Sequence, residues 1–339
     1  MLLQVQNLQL SLKRAGKFIS ILDDVSFQVQ KGETLGIVGE SGCGKSMTAL
    51  SIMRLLPDKA KLAGEVKVGS EVISKLSKKK LEKIRGNQIS MIFQDPLTSL
   101  NPLHTVGKQI EEALILHTNL TKKERKDRVV ELLKEVGLPR AEEMVKEYPH
   151  QLSGGMRQRI MIAIAMACRP QLLICDEPTT ALDVTVQAQI LELMNKLKQE
   201  NDMGIIMITH DLGVVAEVCN RVMVMYAGKV VEEAEVNELF QRPRHPYTIG
   251  LLEAIPRVGE RKRTLGSIPG TVPSPQNLPI GCRFADRCKD AMEICRQAQP
   301  KTLQLTDDHR VACWLYDERR EDLKDDITRN QESKTTLSH

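Results

Sequence analysis

The 339-residue chain contains no long apolar run. Its longest, residues 160–168, is closed by Arg159 and Arg169, and a bilayer crossing needs roughly 20 apolar residues. No secretory signal opens the chain, so any membrane role is expected to come through partner subunits. One-sided charge is missing too: 48 Lys and Arg against 44 Asp and Glu leave +4. That excess is too small to argue for nucleic acid. Lys78-Lys79-Lys80 and Lys122-Lys123 read as solvated faces rather than a binding stripe. There is no internal repeat. None of the eight cysteines forms the C-x2-C pair that zinc sites favour.

What is present excludes a disordered chain, since 41% of residues are hydrophobic. The length suits one large domain with a smaller one, or two of ordinary size. Leu8, Leu10 and Leu12 alternate with polar residues and predict an edge strand. Val25, Phe27 and Val29 predict a second strand, and residues 34–38 a third. A glycine loop follows, then a helix over 45–56 that Pro57 ends. Helices are expected over 106–117 and from the capping box Thr121-Lys122-Lys123-Glu124 to about Val136, with Gly137 as the stop. Residues 172–175 and 205–209 read as buried parallel strands, and 184–199 as an amphipathic helix. Tyr226-Ala227-Gly228-Lys229 signals a hairpin. Strands alternating with helices imply an α/β fold with a parallel sheet. Beyond residue 235 prolines punctuate the chain and Cys282, Cys288, Cys295 and Cys313 cluster. From Asp317 a polar tail is expected.

Three segments carry chemistry. Gly39-Glu40-Ser41-Gly42-Cys43-Gly44-Lys45-Ser46 fits G-x4-G-K-[ST] between a predicted strand and a predicted helix, the context of a phosphate-binding P-loop. Its glycines let backbone N–H groups curl around phosphate, and the helix N-terminus adds a favourable dipole. Lys45 is expected to reach the β- and γ-phosphates, and Ser46 to bind Mg2+. Cys43 reads as a small loop residue. The apolar strand 172–175 ends in Asp176 and Glu177, placing one acid to help hold Mg2+ and the next to polarise an attacking water. Leu152-Ser153-Gly154-Gly155-Met156 precedes a helix; Ser153 is a natural N-cap, and the two glycines permit close backbone approach.

The last segment resembles the signature sequence of ATP-binding cassette (ABC) ATPases, with Met156 where Gln is usual. Gln94 resembles the Q-loop glutamine, Ala181-Leu182-Asp183 the D-loop, and His210 the switch histidine. The resemblance implies a P-loop NTPase (RecA-like) ABC nucleotide-binding domain over 1–235, with a helical subdomain at about 96–165. It also implies a mechanism. Two cassettes face head to tail, and ATP on one P-loop is capped by Ser153, Gly154 and Gly155 of the other. Glu177 serves as general base, His210 positions the γ-phosphate, and Gln94 joins Ser46 and Asp176 at Mg2+. For the adenine, Phe18, Lys13 and Arg14 remain open as contacts.

Phe93-Gln94-Asp95-Pro96-Leu97-Thr98-Ser99-Leu100-Asn101-Pro102 closely matches the oligopeptide and dipeptide importer ATPases, whose relatives also carry nickel. His245-Pro246-Tyr247-Thr248 and Gly281-Cys282-Arg283-Phe284-Ala285-Asp286-Arg287-Cys288 match as well. This similarity runs from about residue 3 to about 316. It implies a small C-terminal cysteine-containing domain over 236–316, with the polar tail at 317–339. It further implies a subunit peripheral to the cytoplasmic face of the membrane. The partners would be a second, different ATPase subunit, two transmembrane permease subunits and, indirectly, an extracytoplasmic binding protein, with no nucleic acid. Peptide is the expected cargo, with nickel or a metal chelate as the alternative. A non-transport ABC ATPase is disfavoured by the lack of a heptad run or basic groove. The four clustered cysteines, spaced C-x5-C-x6-C-x17-C, suit a [4Fe-4S] cluster by resemblance, with zinc and unligated thiols left open. His309 is a possible substitute ligand, but reads rather as a surface histidine.

Overall fold

The structure is a computed structural model that describes residues 1–180, 182–254 and 268–318. Strands β1 (Leu3–Arg14) and β2 (Lys17–Val29) form a long hairpin. Its turn holds Ala15 and Gly16 at φ 45° and 82°, the left-handed pair that matches strand twist. Strand β3 (Thr34–Val38) leads into helix α1 (Lys45–Ile52). Strands β4 (Ala60–Val68) and β5 (Glu71–Val72) then return to the hairpin, giving an antiparallel sheet ordered β2-β1-β4-β5. The predicted edge strand is therefore internal: β1 pairs with β2 on one side and β4 on the other. Alternation reported its buried face, occupied by Leu8 and Leu10, and carries no information about free edges. Helix α1 also ends before the predicted Leu56. Arg54 turns left-handed at φ 51°. Arg85 donates to the carbonyls of Met53 and Arg54, each at 2.8 Å, satisfying groups that a longer helix would otherwise use.

Helix α2 (Lys78–Ile84), strand β6 (Ile89–Ile92) and helix α3 (Pro96–Ser99) lead to a helical layer. That layer comprises α4 (Val106–His117), α5 (Lys122–Glu135), α6 (Ala141–Met144) and α7 (Gly154–Met166). The capping box at Thr121 is formed in both directions, by Glu124 N–H to Thr121 Oγ1 and Thr121 N–H to Glu124 Oε2. Gly137 follows the helix at φ 73°. Strand β7 (Leu172–Asp176), helix α8 (Val184–Asn201), strand β8 (Gly204–Ile208), helix α9 (Leu212–Val218) and strands β9 (Arg221–Tyr226) and β10 (Lys229–Glu235) complete the α/β region. Strands β3, β7 and β8 are buried at every position, as parallel strands covered on both faces must be.

The C-terminal segment contributes α10 (Val236–Gln241), α11 (Pro246–Glu253), α12 (Glu293–Gln297) and strands β11 (Leu303–Thr306) and β12 (His309–Val311). β12 pairs with β10, so this segment extends the main sheet, ordered β11-β12-β10-β9-β3-β8-β7-β6. The C-terminal segment is thus continuous with the α/β region through β10. His309, expected at the surface, is 1% exposed, with Nε2 2.7 Å from the buried Glu232 carboxylate. Of the predicted tail, residues 319–339 lie outside the described residues.

Candidate nucleotide site

Parallel register sets the site. Ile37 of β3 and Asp176 of β7 both lie opposite Ile208 of β8, and Ile92 of β6 lies opposite Cys175. Four neighbouring strands therefore end at one level, and the segments leaving them carry the P-loop, Gln94, Asp176-Glu177 and His210. Crevices at the carboxyl ends of such strands are where α/β sheets bind ligands.

The P-loop backbone requires its glycines. Gly39, Gly42 and Gly44 have φ of 147°, 79° and 108°, a region that costs an L side chain strain. Lys45 is buried, and its Nζ donates to the Gly39 and Glu40 carbonyls at 2.7 and 3.1 Å. Ser46 Oγ donates to Asp176 Oδ1 at 3.0 Å across β3 and β7. Burial, reinforced by the neighbouring Glu177 charge, pushes the Asp176 carboxyl above its ordinary range, against the lowering Ser46 hydrogen bond. A hydroxyl beside a buried carboxylate is an all-oxygen donor pair, the hard set that suits Mg2+.

Glu177 directly follows β7 with φ 51°, and its N–H donates to the Ile208 carbonyl at 2.9 Å. A left-handed non-glycine is a strained position that such sites retain. One Glu177 oxygen accepts from Gln94 Nε2 and Thr180 Oγ1, each at 3.0 Å; the other lies 3.3 Å from His210 Nδ1. The three residues singled out for catalysis thus meet around one carboxylate, and Gln94 here contacts Glu177. Thr180 was not legible beforehand; the only signal was its spacing of three from an acid.

Ser153 caps α7 by accepting from Met156 N–H at 3.3 Å, and Asp183 caps α8 by accepting from Val186 N–H at 2.9 Å. A Cβ on Gly155 would lie 2.9 Å from Val186 Cγ1, so this glycine lets α7 approach α8. The described partners of Ser153 and Asp183 come from these helices, and neither joins the P-loop of its own chain. Ala181 of the expected D-loop lies outside the described residues. Phe18 sits opposite Lys13 in the hairpin, and Lys61 Nζ stands 3.8 Å above its ring.

Two contacts to the P-loop were not foreseen. The Glu40 N–H donates to Tyr247 Oη at 2.8 Å, and Arg287 grips the Glu40 carboxylate at 2.7 and 3.0 Å. Both partners come from the C-terminal segment. Nearby, Cys282, Cys288, Cys295 and Cys313 line one small cavity with His245 and Trp314. All four are free thiols. Burial raises Cys282 to about 11 and Cys313 to about 12, and neighbouring cysteines add to both shifts. Among the described residues no group of three or more His, Cys, Asp or Glu is placed to hold a single metal ion. That supports neither the expected iron–sulfur cluster nor the zinc alternative.

Comparison with known proteins finds two family models and several relatives. The ABC transporter family model matches residues 22–180, and that of the oligopeptide/dipeptide transporter C-terminal region matches 231–295. The chain is 53% identical over 319 residues to the oligopeptide transport ATP-binding protein AppD of Bacillus subtilis (strain 168), covering 94% of this chain and 97% of that protein. It is 50% identical to the dipeptide transport ATP-binding protein DppD of the same organism, covering 94% and 96%. Against the oligopeptide transport ATP-binding protein OppD of Escherichia coli (strain K12) the identity is 50%, covering 88% and 89%. Among solved structures, a dimeric post-hydrolysis ATP-binding cassette bound to ADP and Pi matches with TM-score 0.63 and 32% identity, over 69% of this chain and 98% of that one.

Proposed function

Because the chain belongs to the ATP-binding subunits of oligopeptide and dipeptide ABC transporters, we propose that it hydrolyses ATP to drive peptide uptake through permease partners. The observation that carries this reading is the Glu177 carboxylate, held by Gln94, Thr180 and His210 beside the Ser46–Asp176 pair. ATP phosphates lie along residues 39–46, with Ser41, Gly42, Cys43 and Gly44 supplying backbone and Lys45 supplying charge. Ser46 and Asp176, with Gln94, hold Mg2+, which when bound neutralises phosphate charge. Glu177 accepts the proton of the attacking water, and His210 orients the γ-phosphate. Ser153, Gly154, Gly155 and Asp183 serve the nucleotide of a facing second cassette, which is why they stand apart from their own P-loop. A helix N-terminus carrying backbone N–H groups is suited to that phosphate.

Peptide rather than nickel is favoured by what the similar proteins are described as transporting and by the C-terminal family match. Among the described residues no helix is long and apolar enough to cross a membrane, so attachment to the cytoplasmic face falls to the permeases. The test of the chemistry is Glu177→Gln. It is expected to bind Mg-ATP like the parent and to turn over about 100-fold or more slowly, the range of a lost general base. Unchanged turnover would remove Glu177 from that role.

A second reading concerns the cysteines. Cys282, Cys288, Cys295 and Cys313 converge on one cavity although Cys313 is remote in sequence from the other three. We propose that they hold a [4Fe-4S] cluster, whose four thiolates are shared among four irons and need not crowd one ion. In a segment whose strands extend the cassette's sheet, a structural role fits that cluster.

A further inference from the structure

Glu40 follows the first glycine of the P-loop, and each of its polar groups is engaged. Its carbonyl accepts from Lys45 Nζ at 3.1 Å and from Cys43 N–H at 3.3 Å. These partners lie inside the loop. Its N–H and carboxylate instead face outward, to Tyr247 and Arg287. One residue thus links the lysine expected to bind phosphate to two side chains 207 and 247 positions away.

Both outer partners are themselves fixed. Tyr247 is fully buried, edge-on to Tyr226 with ring centroids 4.7 Å apart. Its helix α11 is capped by His245, which accepts the Tyr247 N–H at Nδ1, while Glu232 accepts the N–H groups of Arg244 and His245. Burial holds His245 down at about 3, so the ring stays neutral and remains an acceptor. Arg287 also donates to the carbonyls of Pro269 and Ile268 and to Tyr226 Oη, and its side chain is 7% exposed. A guanidinium with so many fixed partners presents a rigid fork rather than a loose charge.

The position of Glu40 makes this contact more than a tether. A carboxylate at the mouth of a phosphate loop repels the phosphates it borders, and the half-buried Glu40 side chain, 28% exposed, is only partly screened by solvent. Arg287 neutralises that charge and turns the carboxylate outward, while Tyr247 fixes the peptide unit between Gly39 and Glu40. We infer that Tyr247 and Arg287 are positioning residues for ATP binding, so that the C-terminal segment sets P-loop geometry through Glu40. This rests on residues 39–46 being the nucleotide site.

Titration of the full chain with Mg-ATP, with steady-state hydrolysis, tests it. Arg287→Met is expected to weaken ATP binding about tenfold, since it leaves the Glu40 carboxylate of a partly buried charge pair without its partner. KM rises with it, and kcat falls by less. Adding Glu40→Gln to Arg287→Met removes the stranded carboxylate and is expected to recover most of the affinity. Tyr247→Phe, which keeps the ring and its packing, is expected to weaken binding by a smaller factor with its melting temperature near the parent's. Lys45→Ala is the control for the site itself. If Lys45→Ala binds ATP like the parent, the nucleotide-site reading fails. If Lys45→Ala loses binding while Arg287→Met and Tyr247→Phe keep parental affinity and KM, the positioning role is overturned and the site stands. Should Arg287→Met not fold, Tyr247→Phe alone decides: parental affinity overturns the inference.

Discussion

A Cβ on Gly39 would lie 2.2 Å from the Met225 carbonyl oxygen and 2.8 Å from Cys43 Sγ, at φ 147°. Gly42 differs: its φ of 79° is also left-handed, but nothing lies within 4 Å of the added carbon. Gly42→Ala therefore carries backbone strain alone, about 1–2 kcal/mol. Gly39→Ala adds a collision with main chain that cannot swing away, so it is expected to melt earlier than Gly42→Ala and to lose ATP binding. Thermal melts with and without Mg-ATP check this, and equal melting of the two variants would contradict the collision. At this scale the sequence was informative where chemistry is local. The glycines, Lys45 and Ser46 declare themselves by spacing, and Asp176-Glu177 by following an apolar strand. Tyr247 and Arg287 do not, because their contribution depends on where the chain returns, and Thr180 does not because a spacing of three from an acid is no motif.

Helix caps show how far element-level reading goes. Thr121 and Ser153 are both legible as N-caps, and both accept the backbone N–H three residues on at 3.3 Å. Loss of either cap costs about 1 kcal/mol. Their roles are expected to diverge in turnover. Thr121→Ala hydrolyses ATP like the parent, whereas Ser153→Ala slows it about 100-fold, the scale of a lost phosphate-facing group. ATPase assays at matched folded fraction decide; parental turnover in Ser153→Ala would reduce that serine to a cap. Elements were misjudged where tertiary pairing overrides pattern. β1 looked like an edge because one face alternates, yet β4 pairs with its far side. The pattern runs helix α1 to Leu56, but Arg85 takes the Met53 and Arg54 carbonyls and ends it sooner.

Across the whole molecule, the C-terminal segment is tied to the ATP-binding region at several points. β12 joins β10, Arg310 pairs with Glu233, and His309 meets Glu232 in the core. The turn 282–288 adds the closest tie. Arg283 reaches Asp23 at 2.6 Å and Arg287 reaches Glu40, and both arginines lie between Cys282 and Cys288. The turn is pinned by Cys282 N–H to the Cys295 carbonyl at 2.7 Å and by Ala285 N–H to the Cys282 carbonyl at 3.0 Å. Burying several thiols together disfavours their ionisation, as the raised Cys282 and Cys313 values indicate. A bound cation centre reverses that balance, since thiolate ligation is coupled to folding. If the proposed cluster is present, protein purified without oxygen carries about four irons and matching sulfide per chain. Cys288→Ser is expected to lose both and to melt earlier than the parent. Iron and sulfide analysis decides, and zinc or no metal in their place would sink the cluster. Because the same turn carries Arg287, the iron-free variant is also expected to bind ATP more weakly. Parental affinity in that variant would mean that the turn holds Glu40 without help from the cysteines.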